Sequence, residues 1–209
     1  LVVPAGYAAG SRDPVGIGFN GTAYSEAKLL AFGYAYEQQT LLRKPPHAIA
    51  HLGVGRTFQV AATFASMTVR ESVALALVAR EGHDRAAVAP MLTTRSAAID
   101  ALLIRLRIDD LADAHCAALA YGDAKRLELA MALALTPRLL LMDEPTAGMT
   151  PRSRRDLMEL ATGLAERDNV AVLFTEHDMD IVFGFADRVL VLDRGALIAQ
   201  GAPADIKAD

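Results

Sequence analysis

Leu139-Leu-Leu-Met-Asp-Glu-Pro145 decides the fold. Four apolar residues in a row, too few for a helix and lacking polar alternation, read as a parallel strand covered on both faces. The strand ends in two adjacent carboxylates, Asp143 and Glu144, and Pro145 closes it. Successive residues leaving a strand point in different directions, so the two acids can serve two roles. One can hold Mg²⁺, directly or through water, and the other can orient and deprotonate an attacking water in phosphoryl transfer.

Outward from this strand, elements alternate. Upstream, Gly122 to Leu135 reads as a helix that is apolar nearly all round, hence buried, and Pro137 stops it. Downstream, Thr150-Pro151 starts a helix with Pro at its first position, and Leu157, Leu160, Ala161 and Leu164 keep helical spacing. Val170 to Phe174 is a second buried strand, and Asp178 to Ala186 a helix. Arg188 to Leu192, Asp193-Arg-Gly195 and Ala196 to Ala199 form a hairpin. From residue 136 on, strand and helix alternate, which predicts a parallel α/β sheet. Further upstream, Thr68-Val-Arg-Glu71 is a capping box opening a helix through Ala79, Gly82 to Ala89 reads as a loop, and Ser96 to Leu106 as a second helix. At the front, Val15 to Phe19 reads as a short strand, and Ser25 caps a helix over 26–40. Pro45-Pro46 is the clearest internal boundary.

Composition narrows the class. The 209 residues are 53% hydrophobic and 6% aromatic with no Trp, enough for one helix-rich α/β domain with an appendage. A net charge of −4 without any basic run excludes a nucleic-acid footprint. Cys116 is the only cysteine, which excludes an intrachain disulfide and a cysteine metal site. No stretch of 18 apolar residues is present to span a bilayer, and the first residues lack the basic start and apolar run expected of a signal peptide. Gly16-Ile-Gly-Phe-Asn-Gly21 matches a dinucleotide-binding pattern but lacks the long buried strand and βαβ unit that pattern needs.

Over residues 47–209 the motifs, in order, resemble the ATP-binding subunit of an ABC importer, nearest the branched-chain amino-acid group. Arg56-Thr-Phe-Gln59 resembles the Q-loop, and Leu119-Ala-Tyr-Gly-Asp123 the ABC signature. Leu139 to Glu144 resembles Walker B, Thr146-Ala-Gly-Met149 stands at the D-loop, and Phe174-Thr-Glu-His177 resembles the H-switch. The resemblance implies an incomplete P-loop NTPase sheet with a helical subdomain over about 60–118, facing a membrane partner. It implies that Asp143 holds Mg²⁺, Glu144 is the general base and His177 touches the γ-phosphate of ATP. Gln59 would contact the metal and the attacking water and couple to the permease. Leu119, Ala120, Tyr121, Gly122 and Asp123 would meet nucleotide bound to a second ATP-binding subunit, helped by the N–H groups and dipole of the helix opening at Gly122. Permease subunits, a second ATP-binding subunit and a cytoplasmic place on the inner face of the membrane follow as expectations. Ala120 stands where the signature usually has Ser, a loss of about 1 kcal/mol of hydrogen bonding. The remaining histidines, His47, His51, His83 and His115, have no motif around them.

One part is missing. No G-x-x-x-x-G-K-[ST] occurs, and none of the four lysines (Lys28, Lys44, Lys125 and Lys207) follows a glycine. That motif supplies main-chain N–H donors and a Lys to the phosphates, and a hydroxyl to Mg²⁺. At about 1.5–3 kcal/mol per charge-assisted bond, losing several weakens nucleotide binding at least about 10³-fold. The isolated chain is therefore expected to show no ATP turnover and at best millimolar ATP affinity, or to act as a non-hydrolytic partner offering only its signature in trans. Residues 1–46, a strand–helix appendage, resemble instead the C-terminal tail of amidase-signature hydrolases, through Val3-Pro-Ala-Gly6, Asp13-Pro-Val-Gly-Ile17, Ala23-Tyr-Ser-Glu-Ala-Lys-Leu-Leu30 and Tyr34-Ala-Tyr-Glu-Gln38. That family's catalytic residues lie upstream of such a tail, so the resemblance implies a chimeric junction near Pro45-Pro46 and no amidase activity.

Overall fold

A computed structural model describes residues 2–7, 14–18, 46–58, 61, 63–82, 85–193 and 196–208. The predicted helix over 26–40 and Gln59 lie outside the described residues. Strands β1 (Val2–Tyr7) and β2 (Pro14–Gly18) pair antiparallel, in line with the strand expected from Val15. Helix α1 (Pro46–His51) begins on the second proline of the boundary pair.

The centre is a parallel sheet, β3 (Val54–Arg56), β4 (Leu139–Asp143) and β5 (Ala171–Thr175), in the order β3-β4-β5. Val54 lies opposite Leu139, and Leu139 opposite Ala171; β4 and β5 end together at Asp143 and Thr175, while β3 ends at Arg56, opposite Leu141. Leu139, Leu140 and Met142 are buried, as the continuous apolar run requires.

Helix α2 (Val69–Arg80) opens with the predicted capping box: the Thr68 hydroxyl accepts from Glu71 N–H, and the Glu71 carboxylate accepts from Thr68 N–H. The sequence assigned Gly82 to Ala89 to a loop. The structure corrects this: a short 3₁₀ turn at Arg85–Ala87 runs into helix α3 (Val88–Thr94). Pro90 is tolerated there because it falls in the first turn, where its missing N–H has no intrahelical partner to lose. Helix α4 (Ser96–Leu106) follows, with Ile99, Leu103 and Leu106 fully buried, and Arg107 ends it in the left-handed region.

The chain between 67 and 116 closes on itself. Val69 and Arg70 donate to the carbonyls of Ala114 and Ala112, and Cys116 donates to that of Met67. Helix α5 (Tyr121–Ala134) then buries Leu127, Leu129 and Ala130 against α2 and α4. Helix α6 (Pro151–Asp168) starts at Thr150, whose hydroxyl accepts from Ser153 N–H, and stops at Asn169 in the left-handed region. Helix α7 (Met179–Phe185), the antiparallel pair β6 (Val189–Asp193) and β7 (Ala196–Gly201), and helix α8 (Pro203–Ala208) complete the chain. Among the described residues no helix is long and apolar enough to cross a membrane.

Candidate functional site

Parallel strands that end together bring their following loops to one edge, and this edge carries the polar residues singled out above. Asp143 closes β4. Its Oδ1 accepts a 2.7 Å hydrogen bond from the hydroxyl of Thr175, which closes β5. Glu144 follows with φ +42°, a left-handed conformation that costs a non-glycine residue about 1–3 kcal/mol. Its N–H is satisfied at that angle by the carbonyl and hydroxyl of Thr175, at 3.1 and 3.2 Å. The Glu144 side chain reaches toward the loop after β5. Its Oε1 lies 3.8 Å from Nδ1 of His177, which is 75% exposed. Asp143, Glu144 and His177, chosen from sequence, are thus brought together.

Two residues that sequence reading passed over hold this edge in shape. Glu176 Oε1 accepts from both the N–H and the hydroxyl of Thr146, at 2.9 and 2.6 Å, and Thr146 is buried. The loop after β4 is thereby pinned to the loop after β5. Arg154, one turn into α6, donates to the Met149 carbonyl at 2.9 Å and pairs with Asp178, the N-cap of α7. Burial pushes the Asp178 carboxyl up. The bond from Arg154 and the N–H groups of Ile181 and Asp180 outweigh this and hold it below the usual aspartate range. Glu176 stands inside the Phe174–His177 motif and Arg154 shortly after Thr146–Met149, and that placement was the only available signal.

The Leu119–Asp123 segment runs extended through Leu119 and turns into α5 at Ala120, which has no side-chain oxygen to cap it. Gly122 faces Met149 and Ser153: a Cβ built there would sit 3.5 Å from Met149 Cε. Gly148, at φ +73°, allows the turn that carries the chain past Tyr121. The segment therefore borders Thr146–Met149. On the far side, Thr57 N–H donates to the Leu141 carbonyl, carrying the β3 ladder one residue further toward Gln59. Among the described residues no cluster of three or more His, Cys, Asp or Glu could hold a metal alone. Asp143 suits instead an ion such as Mg²⁺, which takes one or two carboxylates and fills its octahedron with phosphate and water.

Residues 28–147 match the family model for the ABC transporter. The high-affinity branched-chain amino acid transport ATP-binding protein LivG of Escherichia coli (strain K12) is 36% identical over 173 residues, covering 78% of this chain and 67% of LivG. A probable LivG of Archaeoglobus fulgidus is 33% identical over 178 residues, covering 82% and 68%. Among solved structures, cbiO1 from Clostridium perfringens, part of the ABC transporter complex cbiONQ, superposes with a TM-score of 0.65 at 28% identity. That likeness covers 75% of this chain and 60% of cbiO1. MJ1267, an ATP-binding cassette of an ABC transporter in its ADP conformation, gives a TM-score of 0.64 at 27% identity, covering 78% and 66%. The chain thus spans about two thirds of the length of LivG and three fifths of cbiO1.

Proposed function

The chain belongs to the ABC transporter ATP-binding family, with the α/β P-loop NTPase fold, and on that premise we propose that it is the ATP-binding subunit of a branched-chain amino-acid importer whose own nucleotide site is impaired. The observation that carries the reading is the single edge where Asp143, Glu144 and His177 meet at the ends of two parallel strands. In this reading Asp143 binds Mg²⁺, Glu144 takes the proton of the attacking water, and His177 contacts the γ-phosphate. Gln59 contributes to the metal and to coupling with the permease. Leu119, Ala120, Tyr121, Gly122 and Asp123 face the nucleotide of a second ATP-binding subunit.

The metal end of an Mg-ATP site fits the residues present. The phosphate end does not, because the 209 residues contain no G-x-x-x-x-G-K-[ST], the motif that supplies the N–H cradle and its Lys. No catalytic step on the chain's own nucleotide is therefore assigned. The solute rests on the names of the LivG relatives. Permease subunits as partners, and a cytoplasmic place on the inner face of the membrane through them, belong to the same reading. So does a helical subdomain over about 60–118, supported by the closure of 67–116 on itself. A division of the chain near Pro45-Pro46 is part of the proposal too, although the family match starts upstream of it, at residue 28. Residues 1–46 bring no catalytic residue and add no amidase activity.

A second reading is favoured by the intact setting of Leu119–Asp123 beside Thr146–Met149. The chain acts as a non-hydrolytic partner that completes an intact subunit's site in trans. Mixing it with an intact ATP-binding subunit tests this. At most one active site per dimer is expected, and Glu144→Gln in this chain leaves turnover in place. Loss of turnover on Glu144→Gln shows instead that the chain's own site works.

A further inference from the structure

Helix α5 carries two charged side chains at buried positions, where apolar ones are usual. Lys125 and Glu128 are 2% and 6% exposed, with Nζ 3.2 Å from Oε2. A buried ion pair is costly and holds its place only when its remaining hydrogen-bonding capacity is used. Here it is used on one residue of a distant segment. The Phe58 N–H donates to Glu128 Oε1 at 2.7 Å, and Lys125 Nζ donates to the Phe58 carbonyl. Both main-chain polar groups of Phe58 are thus taken by two side chains one helical turn apart. The Phe58 ring is not what the pair secures, for it is half exposed, with the Arg56 guanidinium 5.2 Å from its centre.

The grip is on the backbone, and its position matters. Thr57, one residue earlier, is bonded to β4 through Leu141, and Gln59 is the next residue along. At the other end, Lys125 stands two residues past Asp123, about 3 Å along the helix axis from the Leu119–Asp123 segment. An apolar pair of similar size would fill the same space without the desolvation cost, but it would leave Phe58 unheld.

We propose that Lys125 and Glu128 are positioning residues that fasten the main chain next to Gln59 to the helix headed by Leu119–Asp123, so that both segments move as one body. This inference rests on the roles given above to Gln59 and to Leu119–Asp123. When α5 shifts against the sheet, Phe58 follows it, while Thr57 stays with β4, and the chain pivots between the two.

The test uses the full chain, alone and mixed with an intact ATP-binding subunit. The variant is Lys125→Met with Glu128→Leu, which keeps volume and removes both charges together. Amide exchange by NMR should then be about tenfold faster at Phe58, the equivalent of one lost hydrogen bond, with Leu127 and Leu140 little changed. In the mixture kcat should fall by a similar factor at unchanged KM for Mg-ATP. Glu128→Gln, which keeps an oxygen acceptor for the Phe58 N–H, should recover most of both. Unchanged protection at Phe58 in the double variant overturns the proposal, as does a change in KM rather than kcat. If the wild-type mixture shows no turnover, the composite-site reading fails, and exchange at Phe58 then decides the clamp by itself.

Discussion

Replacing Glu176 with Ala should destabilise the protein by roughly 4 kcal/mol through two donors left without an acceptor. Thr146 is 1% exposed, and both its N–H and its hydroxyl end on the same Glu176 oxygen, at 2.9 and 2.6 Å. A buried donor stripped of its acceptor costs about 1–3 kcal/mol. The hydroxyl can rotate toward another acceptor and falls at the low end. The N–H cannot rotate and falls at the high end. The sum is a large fraction of the 5–15 kcal/mol typical of a domain's whole stability. Glu176→Gln keeps the oxygen and should cost under about 1 kcal/mol. Urea unfolding measures both variants: the midpoint should drop for Ala with the slope unchanged. A cycle with Thr146→Val should give a coupling above about 1 kcal/mol, since the two residues touch. Glu176→Ala within about 0.5 kcal/mol of wild type, or Gln as costly as Ala, would refute the claim that this one oxygen joins the two loops.

Gly163 lies inside α6, and the atoms nearest a Cβ there are Arg167 Nη2, Cζ and Nε, at 2.4, 3.4 and 3.6 Å, the far end of a flexible side chain. Gly163→Ala should therefore stabilise by about 0.5–1 kcal/mol once Arg167 swings aside, read as a raised melting temperature; a lowered one would mean that the Arg167 bond to the Gly163 carbonyl matters more. Thr68→Ala should cost about 1 kcal/mol in urea midpoint through loss of half the capping box, and Thr68→Ser should restore it. The Asp178 carboxyl has a folded-state pKa below its unfolded value, so its contribution is fully present above about pH 3.9 and lost as pH falls through the lower folded value. Acid melts should accordingly show Asp178→Asn to be flatter than wild type below about pH 4, and parallel limbs would contradict the assignment.

The legible parts of the fold were those with strong local chemistry. Leu139 to Met142 and the Val170 stretch announce buried strands because nothing polar interrupts them, and Thr68 and Thr150 mark helix starts with a hydroxyl at the right offset. Helix α3 did not announce itself: Ala87 offers no side-chain cap, Pro90 looks like a breaker, and only Met91 is buried in its seven residues. Helix α1 is too short to show any periodicity. In the site, Asp143, Glu144 and His177 were legible from order and strand context. Their props were not, since Glu176 finds Thr146 thirty residues away, and Lys125 and Glu128 find Phe58 at 67 and 70. A Lys–Glu pair three apart on a helix normally decorates a solvated face, and only the tertiary fold turns this one inward.

A calorimetric titration of Mg-ATP into the 209-residue chain bears most directly on the central claim, a hydrolysis edge built without a phosphate cradle. Affinity no tighter than millimolar is the predicted result. Micromolar binding that is lost on Asp143→Asn would contradict it, because the triphosphate would then have found its donors within these residues.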